Sequence, residues 1–105
     1  MNLEWNVYRH DINKQEIVTY NIFDHGGFCE DVKKAFCTFE DRDEFVDSLK
    51  MLLMYYFWCK SEYEVVVGPW VGGKDCKDLK IDIYAQVMNN WERFAEYVWS
   101  KRGEV

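Results

Sequence analysis

Residues 51–59, Met51-Leu52-Leu53-Met54-Tyr55-Tyr56-Phe57-Trp58-Cys59, form an unbroken apolar run close behind the acid-rich stretch Glu40-Asp41-Arg42-Asp43-Glu44-Phe45-Val46-Asp47. Nine residues are about half what a membrane span needs, so the run predicts a buried core element and not a membrane anchor. Asp41 followed by Glu44 has the form of a capping box, in which the first carboxylate accepts from a first-turn amide and the second reaches back. Behind it, Phe45, Leu49, Leu52, Leu53 and Tyr56 fall on one stripe, which predicts a helix from about 42 to 60, close to 28 Å long at 1.5 Å per residue. Met51, Met54, Tyr55 and Trp58 lie off that stripe. Such a helix either sits between a sheet and another helix or offers a face to a partner.

The flanking segments read as strands and helices by period. Leu3, Trp5 and Val7 alternate with Glu4, Asn6 and Tyr8, and Val18, Tyr20 and Ile22 alternate with Ile17, Thr19 and Asn21, so residues 3–10 and 16–23 predict a hairpin. Asp24-His25-Gly26-Gly27 breaks it, and Phe28, Val32, Ala35 and Phe36 recur at helical spacing. Glu62–Val67 alternates again and stops at Gly68-Pro69. Trp70–Lys77, with Gly72-Gly73, reads as a loop. Leu79, Ile81 and Ile83 alternate with Lys80, Asp82 and Tyr84, predicting a fourth strand. A last helix carries Val87, Trp91, Phe94, Ala95 and Val98 inward, with Lys101 and Arg102 at its negative end and Gly103 as C′. The order ββααββα predicts a two-layer α+β fold, an antiparallel four-stranded sheet with three helices on one face.

A chain of 105 residues, 49% apolar and 18% aromatic, suits a single α+β domain spanning 1–105 that buries roughly two thirds of its unfolded surface. The formal charge of −6, with Lys and Arg scattered, argues against direct nucleic-acid binding and for a basic protein surface as partner. The opening residues have neither a positive n-region nor an apolar h-region, which predicts a protein of the host cell cytosol. Cys29, Cys37, Cys59 and Cys76 form no Cys-x-x-Cys pair and predict reduced thiols packed as small hydrophobes.

Catalytic signatures are sparse. Three serines and two histidines, His10 and His25, form no nucleophile elbow. Cys29, four residues after His25, suits packing as well as a thiol–imidazole pair. Zinc sites present close ligand pairs, absent here. Gly72-Gly73-Lys74 lacks the spacing of a Walker loop. Asp78-Leu79-Lys80, with Asp82, resembles the carboxylate-x-lysine end of a metal-dependent nuclease strand, but Trp70 follows Pro69 where an aspartate belongs. These observations predict a non-enzyme without metal or cofactor.

The acidic stretch is the surface feature that remains. Carboxylates in a first turn complement the helix dipole, but Glu40, Asp41, Asp43, Glu44 and Asp47, with Arg42 alone among them, exceed what capping requires. With Glu30 and Asp31 they suggest a negative patch that imitates a phosphate track and fits a basic groove. Trp70, between Pro69 and Val71, is either a lid on the core or a binding anchor.

The segments Tyr55-Tyr56-Phe57-Trp58-Cys59-Lys60, Glu62-Tyr63-Glu64-Val65, Trp70-x-Gly72-Gly73 and Lys80-Ile81-Asp82-Ile83-Tyr84-x-Gln86-Val87-x-x-Asn90-Trp91-x-x-Phe94-x-x-Tyr97-Val98-Trp99 resemble a group of small uncharacterised proteins of Gram-positive gut bacteria and their phages. The likeness implies a shared fold and a mobile-element setting. In size, charge and setting the chain is similar in kind to anti-CRISPR proteins, which block a nuclease at its nucleic-acid or PAM-reading surface. The expectation is therefore a protein-binding inhibitor, monomer or homodimer, using Glu40, Asp41, Asp43, Glu44, Asp47 and Trp70 against a basic surface, such as that of a CRISPR-associated nuclease. The alternatives are a metal-dependent phosphoester enzyme using Asp78, Lys80 and Asp82, and a structural protein self-associating through Met54, Tyr55 and Trp58.

Overall fold

A computed structural model describes residues 3–11, 15–24, 27–59 and 76–104. The alternating N-terminal runs pair as β1 (Asn6–Asp11) and β2 (Glu16–Asn21), antiparallel, with Val7 opposite Tyr20 and Tyr8 opposite Thr19. Val7 and Tyr20 are buried, while Tyr8 and Ile17 on the other face are exposed, as a half-buried hairpin requires. Asn21 locks its end. Its side-chain oxygen accepts from the Trp5 and Phe23 amides at 3.2 and 3.0 Å, and its amide group donates to the Leu3 carbonyl at 3.4 Å. A 3-10 turn, Ile22–Asp24, then leads toward the helices.

Four helices follow among the described residues: α1 (Phe28–Thr38), α2 (Arg42–Met54), α3 (Cys76–Asn89) and α4 (Trp91–Ser100). The expected four-stranded sheet under three helices is therefore incorrect. The described sheet has two strands, and the run expected as a fourth strand is helical. The reason is a degeneracy of spacing: residues i and i+4 share a side in both strand and helix, so Leu79, Ile83 and Val87 satisfy either. Burial decides it. Ile83 and Val87 are buried, Tyr84 and Met88 pack beside them, and Ala85 and Asn89 are exposed, a repeat of four rather than two. Leu, Lys, Ala, Gln and Met in this segment also favour helix over strand. The expected strand Glu62–Val67 and the loop around Trp70 lie outside the described residues.

α2 stops being α-helical at Met54 and continues as a π-helical turn, Tyr55–Cys59, so the predicted 42–60 element is one α-helix with a wider final turn. The predicted last helix is likewise interrupted. Asn90 leaves helical geometry (φ −120°, ψ 30°) and its side chain donates to the Gln86 carbonyl at 2.9 Å, separating α3 from α4. Gly103 is not a left-handed cap: Lys101 ends α4 in right-handed geometry, and Gly103 lies in a 3-10 turn, Arg102–Glu104.

The core is an aromatic chain tying the residues that flank the hairpin to α1, α2 with its π-helical turn, and α4. Phe94 of α4 meets Trp5 at 5.3 Å edge-on and stacks on Phe23 at 5.7 Å; Phe23 stacks on Phe28 of α1 at 5.5 Å; Phe28 meets Tyr56 edge-on at 5.7 Å. Phe36 and Phe45 stack at 4.9 Å where α1 crosses α2, and Trp99 of α4 closes on Phe45 at 5.2 Å. α3 covers β1: the Gln86 side-chain oxygen accepts from the Tyr8 amide at 2.9 Å, and its amide group donates to the Tyr8 carbonyl. That carboxamide satisfies an edge strand's backbone as a third strand would.

Candidate functional site at the start of α2

Capping positions the acidic end. Asp41 adopts extended geometry (φ −78°, ψ 130°) and its carboxylate accepts from the Glu44 amide at 3.0 Å, so the chain enters α2 with Asp43 and Glu44 in the first turn. Phe45, Leu49 and Leu53 point into the core, which fixes the opposite side of the helix outward. Glu40, Asp41, Asp43, Glu44 and Asp47 are all exposed.

Compensation within the chain is incomplete. Arg42 approaches Asp43 at 3.8 Å but holds Glu96 of α4 more closely, at 3.0 Å. The Asp43 side chain stays 90% exposed, where an ion pair contributes little. Arg102 lies over the Trp99 ring at 4.6 Å and donates to the Glu40 carbonyl at 2.8 Å, so it braces the α1–α2 link through backbone. Among the described residues, neither Glu44 nor Asp47 makes an ion pair. The patch is thus five carboxylates on or beside one helix end, with two guanidiniums near it.

Glu30 and Asp31 do not join it. Glu30 pairs with Lys33 at 3.3 Å and Asp31 with Lys34 at 3.9 Å on their own helix. Asp31 also accepts from the Tyr56 hydroxyl in the π-helical turn beyond α2, 13 residues on from Asp43. Conversely, Glu96 borders the patch through Arg42 and was not signalled by the sequence, since the two residues stand 54 apart. Trp70 and His25 lie outside the described residues, as does the side chain of Trp58.

The remaining chemistry is weak as catalysis. Burial pushes the Cys29 thiol upward from its ordinary value, disfavouring the thiolate a nucleophile needs. Asp78 and Lys80 sit in α3, so the carboxylate-x-lysine segment is not on a strand as a nuclease motif of that kind requires. Among the described residues no three His, Cys, Asp or Glu side chains converge as metal ligands would, and no helix is long and apolar enough to cross a membrane. An open groove of about 850 Å³ runs along α4, lined by Trp5, Arg42, Val46, Arg93, Glu96 and Tyr97 among others; its mixed charge selects neither anion nor cation. Comparison with known protein families, curated proteins and solved structures finds no match.

Proposed function

We propose that this chain is a non-enzymatic protein-binding module, an inhibitor of the anti-CRISPR type from a phage setting, which places the acidic start of α2 on a basic nucleic-acid-binding surface of a nuclease. The observation that carries this reading is the exposure of Asp43, Glu44 and Asp47 on consecutive turns of a capped helix, with Arg42 drawn toward Glu96. Carboxylates three and four residues apart stand about 5–6 Å from one another, a rigid row of negative charge matched to arginines and lysines that await phosphates. The phage setting and the inhibitor class rest on the resemblance in aromatic motifs, size and charge. Trp70 serves in this reading as a secondary anchor.

The test is cleavage of target DNA by a panel of CRISPR nucleases with the protein added. The expected result is inhibition of at least one nuclease, weakening as salt rises, and abolished by Asp43→Lys/Glu44→Lys/Asp47→Lys. A charge-reversed protein that inhibits as well as wild type, or a panel with no inhibited member, overturns the reading.

A further inference from the structure

We infer that the docking surface continues along the outward face of α2 into Met51, Met54 and Tyr55, and that its occupant is a helical polypeptide segment with cationic residues toward one end and aliphatic residues toward the other. This rests on the acidic start of α2 being a docking site, and adds what lies beside it.

At 3.6 residues per turn, Asp43, Asp47, Met51, Met54, Glu44 and Tyr55 fall within an arc of roughly 120°. That arc is opposite Phe45, Leu49 and Leu53, which are fully buried. Met51 is 65% exposed, Tyr55 50% and Met54 38%, three large apolar side chains gathered on one helix face. Lys50, at the margin of the arc, lies toward the Trp91 ring of α4 at 5.8 Å, so among the described residues the arc itself carries no cationic side chain and only Arg42, 3.8 Å from Asp43, borders its acidic end. Asp43 and Met54 are 11 residues apart, so the strip is about 16 Å long, acidic at one end and apolar at the other.

Charge chooses the occupant. A second copy, packed antiparallel about a twofold axis, sets the carboxylates of each α2 on the methionines of the other, taking uncompensated charge out of water. Two chains of formal charge −6 also repel. A cationic and aliphatic segment matches both halves, and exposed methionines suit such a role because their flexible thioethers adapt to a partner's side chains.

The test is fluorescence anisotropy with two synthetic helical peptides of equal charge. One carries lysines in its first half and leucines in its second; the other has each leucine replaced by serine. The inference predicts that the wild-type chain binds the Lys–Leu peptide about tenfold more tightly than the Lys–Ser peptide. Met51→Gln/Met54→Gln should erase that gap while leaving salt dependence and melting temperature unchanged. If Met54→Gln perturbs folding, Met51→Gln alone should narrow the gap. Equal affinity for the two peptides in the wild type overturns the apolar extension. Loss of both peptides on Asp43→Lys/Glu44→Lys/Asp47→Lys would still support the acidic site in that case. If charge reversal changes neither affinity, the acidic reading itself fails. A sedimenting dimer that dissociates on Met51→Gln assigns the face to a second copy and overturns the inferred occupant.

Discussion

The two faces of α2 do different work within the same residues. Inward, Phe45, Leu49 and Leu53 are fully buried against α1 and α4; outward, Met51 is 65% exposed and the Asp43 side chain 90%. Hydrophobicity alone does not separate them, since Met51 and Leu53 are two positions apart and both apolar. The difference is angular: a residue's place on the wheel decides whether it is buried in the core or exposed. α1 offers the contrast in charge: its Glu30 and Asp31 are taken up by Lys33, Lys34 and Tyr56, whereas on α2 Asp43 meets only Arg42, at 3.8 Å, and Glu44 and Asp47 make no ion pair among the described residues.

Mutations should split along that line. Phe45→Ala removes a fully buried ring stacked on Phe36 and should cost about 3–5 kcal/mol in a urea-unfolding free energy. Gly27→Ala comes next. A Cβ there stands 2.9 Å from the Tyr56 hydroxyl, which is buried and tied to Asp31, so overpacking of about 1–3 kcal/mol is expected, with Tyr56→Phe relieving part of it. Asp41→Ala deletes the cap and should cost about 1 kcal/mol by the same assay.

The pH dependence tests the inner face of the hairpin. Burial, and then the nearby Asp24 carboxylate, push the Tyr20 hydroxyl well above its ordinary value of 10.0. The folded state keeps that proton while the unfolded state releases it near pH 10, so stability is fully present below that point and declines as pH rises above it. Urea midpoints between pH 8 and 11 should show this limb, and Tyr20→Phe should flatten it. The smallest expected effect on stability is that of Asp47→Lys, whose exposed side chain lies past the first turn. Its melting temperature should match wild type even as association with a basic partner weakens.

How legible this was in the sequence depended on whether a spacing admits one period or two. The hairpin was readable because Leu3 to Val7 and Val18 to Ile22 alternate where a helix would scatter them. α1 and α2 were readable from the stripes Phe28, Val32, Ala35, Phe36 and Phe45, Leu49, Leu52, Leu53. Residues 79–84 read as a strand because Leu79, Ile81 and Ile83 alternate, but Leu79 and Ile83 also stand at helical spacing with Val87, and the segment is helical, packed on β1 through Gln86. The acidic site was visible as composition, but its limits were not. The withdrawal of Glu30 and Asp31 and the addition of Glu96 both depend on contacts between distant residues. Glu62–Val67 and Trp70 lie outside the described residues.

The most direct measurement is the association rate with a CRISPR nuclease, for wild type and for Asp43→Lys/Glu44→Lys/Asp47→Lys, at low and high salt. Electrostatic steering by an exposed acidic row predicts at least a tenfold slower rate for the reversed chain at low salt, with the gap closing as salt rises. Identical low-salt rates for the two proteins would contradict it.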